Sequence, residues 1–141
     1  MEPETEGWWL NLNAAHFGQA PEYPRAGTVE DWVFVNMTMD THPMHTHLFT
    51  HQVIGRVPFA TGPMLPPTPD ERGFKDTTKV NPGTFTIVRD RIELPAGVQA
   101  PQSYVYHCHI VEHEDNDMMQ SFTVLPRYRR RARPGSGRRR S

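Results

Sequence analysis

The stretch His107-Cys108-His109-Ile110-Val111-Glu112-His113-Glu114-Asp115-Asn116-Asp117-Met118-Met119 decides how this chain is read. It holds the only cysteine, three of the eight histidines and two of the seven methionines. About sixty residues upstream lies His42-Pro43-Met44-His45-Thr46-His47, so six histidines fall in two short blocks. Thiolate, imidazole and thioether together are the donor set of a copper electron-transfer site.

Spacing sorts these donors. The segment Ser103–His109 reads as a strand, in which successive side chains point to opposite faces. His107 and His109 then share one face and Cys108 takes the other. Covalent bonds join the cysteine to both flanking histidines, which gives a short through-bond route between two metal centres. On the cysteine side, His113 follows five positions later and Met118 ten later. A loop or turn of that length returns both to a metal held by Cys108, with His42 as the third strong ligand. Two imidazoles and a thiolate with a weak axial thioether describe a blue-copper site. Met119 rivals Met118 for the axial place, and spacing favours Met118. On the other face, His45 and His47 share a side if Met44–Leu48 is extended. With His107 and His109 they form a group of four imidazoles suited to a polynuclear copper site that handles dioxygen. Glu114 is expected beside this group, where a carboxylate can relay protons.

A single His-x-His pair is commonly coincidental, and a lone cysteine is commonly a small buried hydrophobe. Two such pairs, one bracketing the cysteine, are much harder to obtain by chance. Zinc also takes cysteine and histidine, but a methionine adds nothing to a zinc site. His16 and His51, outside both blocks, read as ordinary residues, and the tryptophans with Tyr104 and Tyr106 read as core.

The rest of the chain points to an all-β domain. Fourteen prolines and ten glycines punctuate its 141 residues, and no segment holds a 3.6-residue apolar period. Strands are predicted near Trp8–Leu12 and over Trp32–Met37, Gln52–Ile54, Thr84–Val88 and Gln120–Val124, with loops at 63–69 and 94–97. Short strands at this spacing fit a Greek-key sandwich or barrel. The expected organisation is a flexible N-terminus over 1–7, one domain over 8–126, and a disordered Arg-rich tail over 127–141. Residues 1–126 carry sixteen acids against seven bases, whereas the last fifteen carry eight arginines and no acid. Such a tail can touch anionic partners by charge alone, but without interleaved aromatics nucleic acid is not an expected partner. No run of apolar residues approaches the length of a membrane span, and the acidic N-terminus does not read as a secretory signal. One cysteine excludes an internal disulfide.

The motifs HPMHTHL, HCHIVEHEDNDMM and GFKDT (73–77) resemble the copper signatures of the multicopper oxidases, in the branch of bacterial spore-coat laccases, bilirubin oxidases and phenoxazinone synthases. The similarity is to the C-terminal cupredoxin domain and covers about residues 8–126. The resemblance implies that His42, Cys108, His113 and Met118 hold a type 1 copper. It implies that His45 binds a type 2 copper, that His47, His107 and His109 bind a type 3 pair, and that Glu114 is the proton-relay carboxylate. It implies one-electron oxidation of phenols, aromatic amines or metal ions, coupled to reduction of dioxygen to water. Such proteins act outside the cytoplasm: periplasmic, secreted or on the spore coat. The family's two further His-x-His pairs come from an N-terminal cupredoxin domain, so this chain supplies half of the trinuclear cluster. The expected partner is that domain, in cis or in trans. Three alternatives stand beside this reading: a stand-alone blue-copper electron carrier, an inactive fragment, and a two-fold dimer that faces two half-clusters.

Overall fold

The fold comes from a computed structural model, which describes residues 22–128 and, as backbone only, residues 7–11. The expectations for the extreme N-terminus, for His16 and for most of the Arg-rich tail lie outside the described residues.

The strand β2, Val29–Asn36, shows why this sequence makes sheets. Glu30, Trp32, Phe34 and Asn36 alternate with more exposed neighbours and point inward, the two-residue period of a half-buried strand. The other strands are β1 (Gly7–Asn11), β3 (His42–Thr46), β4 (His51–Pro58), β5 (Phe74–Lys75), β6 (Thr77–Val80), β7 (Thr84–Arg91), β8 (Gln102–Cys108) and β9 (Met119–Val124); one short helix, α1, spans Val111–Asp115. They form a five-stranded sheet, β1-β2-β7-β4-β5, and a four-stranded sheet, β6-β3-β8-β9. β1 pairs with β2 in parallel, and the other pairings are antiparallel.

The apolar core lies between the sheets. Trp32 of the first meets Tyr106 and Phe122 of the second edge-on, at ring-centroid distances of 5.9 and 5.4 Å. Each such buried side chain contributes about 1.5–3 kcal/mol through removal from water, and truncating Phe122 to alanine should cost about 3–5 kcal/mol. Met44, Cys108 and Met118 belong to the same core cluster, so the metal-donor region is built onto the apolar interior.

The Pro-rich segment at 63–69 is fastened rather than loose. Leu65 exchanges two backbone hydrogen bonds with Arg56. Gly55 allows this approach, because a Cβ there would stand 2.7 Å from the Leu65 carbonyl oxygen. Arg56 then grips Glu71 with two bonds of 2.6 and 2.8 Å, and this contact holds the Glu71 carboxyl at a pKa of about 2.

The predicted strands are all present, with shifted ends. β8 stops at Cys108, one residue before the predicted end. β3 stops at Thr46, short of the extended Met44–Leu48, because Leu48 takes a left-handed conformation with φ 76°. β5, β6 and α1 were not anticipated. No helix among the described residues is long and apolar enough to cross a membrane.

Candidate metal centre

The site is set by register. β3 lies between β6 and β8, with Met44 opposite Cys108 and His45 opposite His107. Directly opposed residues in an antiparallel pair point to the same face. Met44 and Cys108 therefore face the core, while His45 and His107 face outward, which is the division expected from alternation.

On the inner side, Cys108 is fully buried, as the last residue of β8. His42 opens β3 and His113 sits on α1. Cys108 Sγ lies 3.6 Å from His42 Nδ1 and 3.7 Å from His113 Nδ1, and the two Nδ1 atoms are 3.2 Å apart. Metal–nitrogen and metal–sulfur bonds of about 2.0–2.3 Å separate three donors of a trigonal plane by roughly 3.6–3.8 Å. The triangle fits an ion after a slight opening between the imidazoles.

Met118 is buried beside this triangle. Its carbonyl accepts from the Cys108 N–H at 3.1 Å, and its own N–H donates to the His113 carbonyl at 3.0 Å. Asp117, at φ 65°, makes the turn that brings it back. Met119 pairs with His107 on β9 and is more exposed, in keeping with the preference for Met118.

The tautomer of His42 follows from its neighbours. Thr38 Oγ1 donates to Asn36 Oδ1 at 2.8 Å. Its hydrogen is thus used, and the contact of 2.6 Å to His42 Nε2 must be donated by the ring. That leaves His42 Nδ1 unprotonated toward Cys108. Burial, and then His113, hold the His42 pKa below the usual histidine value, with Asp40 opposing. Burial pushes the Cys108 thiol up, partly offset by the Ile110 N–H that points at its sulfur. A neutral imidazole is ready to ligate, whereas the thiolate is costly here without a cation beside it. That chemistry fits a metal site and argues against a free nucleophile.

On the outer side, donor nitrogens of His45, His107 and His109 all lie within 4.8 Å of one another. His47 joins through His107, with their Nε2 atoms 3.2 Å apart. The ring centroids of His45, His47, His107 and His109 are linked by separations of 5.0–5.4 Å. His45 Nδ1 is held by the Asp76 carbonyl at 3.0 Å and Thr77 Oγ1 at 3.1 Å, which directs Nε2 to the cluster. His107 Nδ1 lies 3.0 Å from the Cys108 carbonyl and 3.5 Å from Glu114 Oε2, so Glu114 does sit beside the imidazole group. Burial and the neighbouring rings lower the His47 pKa.

Among the described residues His51 joins neither donor group. Three supporting residues escaped the sequence reading: Thr38, Asp76 and Thr77. Asp76 and Thr77 could have been found from the GFKDT string, whose last two residues they are; nothing marked Thr38.

Residues 4–128 match the family model described as multicopper oxidase. The chain is 40% identical over 117 residues to the laccase of Bacillus subtilis, covering 73% of this chain and 21% of that protein. It is 43% identical over 115 residues to the laccase of Haloferax volcanii, covering 80% and 18%. It therefore spans about a fifth of the length of these relatives. Among solved structures, the McoA multicopper oxidase of Aquifex aeolicus superposes with a TM-score of 0.67 at 25% identity, covering 86% of this chain and 30% of that one. A Campylobacter jejuni multicopper oxidase, described as a metallo-oxidase, superposes at 0.63 with 28% identity, covering 77% and 21%.

Proposed function

This chain belongs to the multicopper oxidase family, and from that premise we propose that it is the C-terminal copper-binding domain of a laccase-like oxidase, built from residues 8–126. His42, Cys108, His113 and Met118 hold a type 1 copper. His45, His47, His107 and His109 supply half of a trinuclear cluster, His45 to the type 2 ion and the others to the type 3 pair. Copper contributes one-electron redox chemistry at the inner donors and dioxygen chemistry at the outer ones. The observation that carries this reading is the β3–β8 register, which turns the thiol inward and the imidazoles outward from one strand.

The protein's residues then have distinct tasks. Cys108, through its covalent bonds to His107 and His109, would provide the through-bond path between metal ions held at the inner and the outer donors. His113 presents a partly exposed ring edge, and Asp40 Oδ2 lies 3.9 Å from its Nε2. A carboxylate at that edge favours cationic reductants, such as metal ions or protonated aromatic amines, over anionic ones. Glu114, beside His107, holds and delivers protons for the reduction of dioxygen to water. The other four cluster imidazoles come from an N-terminal cupredoxin domain, in the same polypeptide or a separate one, and the setting is extracytoplasmic.

A second reading, a blue-copper electron carrier, is favoured by one observation: the inner donor set is complete within this chain. Reconstitution separates the two. With copper and a domain bearing two His-x-His pairs, the oxidase reading expects oxygen uptake driven by a reductant. One copper per chain, reversible redox and no uptake would establish the carrier.

A further inference from the structure

His51 is fully buried, yet both of its ring nitrogens are engaged. Nδ1 lies 3.2 Å from Thr46 Oγ1, and Nε2 makes a short contact with Thr78 Oγ1. A neutral imidazole has one donor and one acceptor, and each hydroxyl can serve as either, so the group is satisfied without a further ligand. His51 opens β4 in the first sheet, whereas Thr46 and Thr78 belong to β3 and β6 in the second. The imidazole is thus a polar strut between two sheets in an apolar interior. Packing alone does not call for it: an aromatic hydrocarbon ring would fill the space without polar groups to satisfy.

What the strut holds is specific. Thr46 sits between His45 and His47, and the corner 47–50 joins Thr46 to His51. Leu48 in that corner adopts φ 76°, a conformation that costs a residue with a Cβ about 1–2 kcal/mol. The Thr46–His51 bond ties the two ends of this strained corner. At the other nitrogen, Thr78 stands opposite Met44, next to Thr77, which bonds His45 Nδ1 at 3.1 Å. One ring therefore braces the corner that carries His47 and the strand that orients His45.

We propose that His51 is a positioning residue: it clamps the His47 corner and aims the outer imidazoles at their metal, without binding that metal. This rests on the proposed metal-binding role of the outer face.

The test uses the full chain and zinc as the probe, followed through the ring nitrogen resonances of His45, His47 and His107. In His51→Phe, which keeps bulk and loses both bonds, amide exchange at Thr46 and His47 should accelerate about ten-fold. Zinc affinity at these rings should fall about ten-fold as well, in the range for loss of an outer support. His51→Gln, which can still bridge the hydroxyls, should recover most of both, and Cys108 and the core should keep wild-type resonances in each variant. If His51→Phe does not fold, Thr46→Val, which removes one hydroxyl, decides on the same two measurements. Faster exchange with unchanged zinc affinity overturns the proposal, as does wild-type behaviour in both measurements. Wild-type rings that ignore zinc altogether overturn the reading of the outer face itself.

Discussion

Asp40 and His113 meet at the mouth of the inner donor triangle, with Asp40 Oδ2 3.9 Å from His113 Nε2 and the Asp40 side chain 69% exposed. The carboxylate comes from the β2–β3 connection and the ring from α1. That connection is held in place by Asn36, whose amide donates to the Asp40 carbonyl at 2.8 Å and to the Val80 carbonyl at 2.9 Å. Asp40→Asn should slow reduction of the copper-loaded chain by a cationic reductant about two- to five-fold, the scale of an exposed charge pair. Reduction by an anionic donor should be unchanged or faster. Stopped-flow bleaching of the blue band, repeated at high salt, checks this: equal slowing for both donors rules out an electrostatic role.

Cys108→Ser should abolish the sulfur-to-copper charge-transfer band. Met118→Leu should keep the band and raise the potential, since the weak axial ligand tunes it. The exchange nearly conserves volume at a buried site, so its stability cost stays below about 1.5 kcal/mol. Absorption spectra and redox titration read both outcomes. Loss of copper from the leucine variant would falsify the axial assignment.

Thr38→Val removes the hydroxyl that fixes His42. Without it, Nε2 has no acceptor and the other tautomer, with the proton on Nδ1, becomes accessible. Copper affinity at the inner site should drop about 10–100-fold, as for other outer hydrogen-bond partners of ligating histidines. Competition with a chelator measures it, and an unchanged dissociation constant contradicts the tautomer argument.

Asp90 provides a pH signature remote from the metal donors. It is buried, faces its cross-strand partner Glu30, and among the described residues neither of its carboxylate oxygens has a hydrogen-bond partner. Burial, then Glu30 and Asp31, raise its pKa to about 7. An acid whose folded pKa is raised adds stability that is fully present below its ordinary value of 3.8 and is lost as pH rises toward about 7. Denaturant unfolding of the wild type, compared with Asp90→Asn, should therefore show the wild type losing stability relative to the variant from pH 4 to pH 7. That loss is on the order of a few kcal/mol. A pH-independent difference between the two proteins removes the argument. Glu71 bounds the window from below: its lowered pKa means that its contribution is lost only as pH falls from 4.5 toward about 2.

The grouping of the donors was legible because its information is local. Strand parity alone put Cys108 opposite in sense to His107 and His109, and the short return to His113 and Met118 needed only a turn. What escaped the sequence depends on longer range or on too few residues. α1 has five residues, too few for an apolar period to register. β5 and β6 owe their existence to partners on β4 and β3 rather than to their own composition. His51 reads as an ordinary histidine because its hydroxyl partners lie five and twenty-seven residues away. The early end of β3 at Thr46 goes with a left-handed Leu48, which contradicts a leucine's own preference and is imposed by the corner.

The partition between the inner donor triangle and the outer imidazole group is one backbone thick. β8 is at once wall and wire, and its handedness is a matter of counting. Inserting or deleting a single residue between its anchored end at Gln102 and Cys108 would turn the wall inside out, presenting sulfur to the outer face and imidazoles to the core. Such a frame error would leave composition and apolar content intact and still scatter both donor groups, so tolerance to length change should be lowest in this one strand.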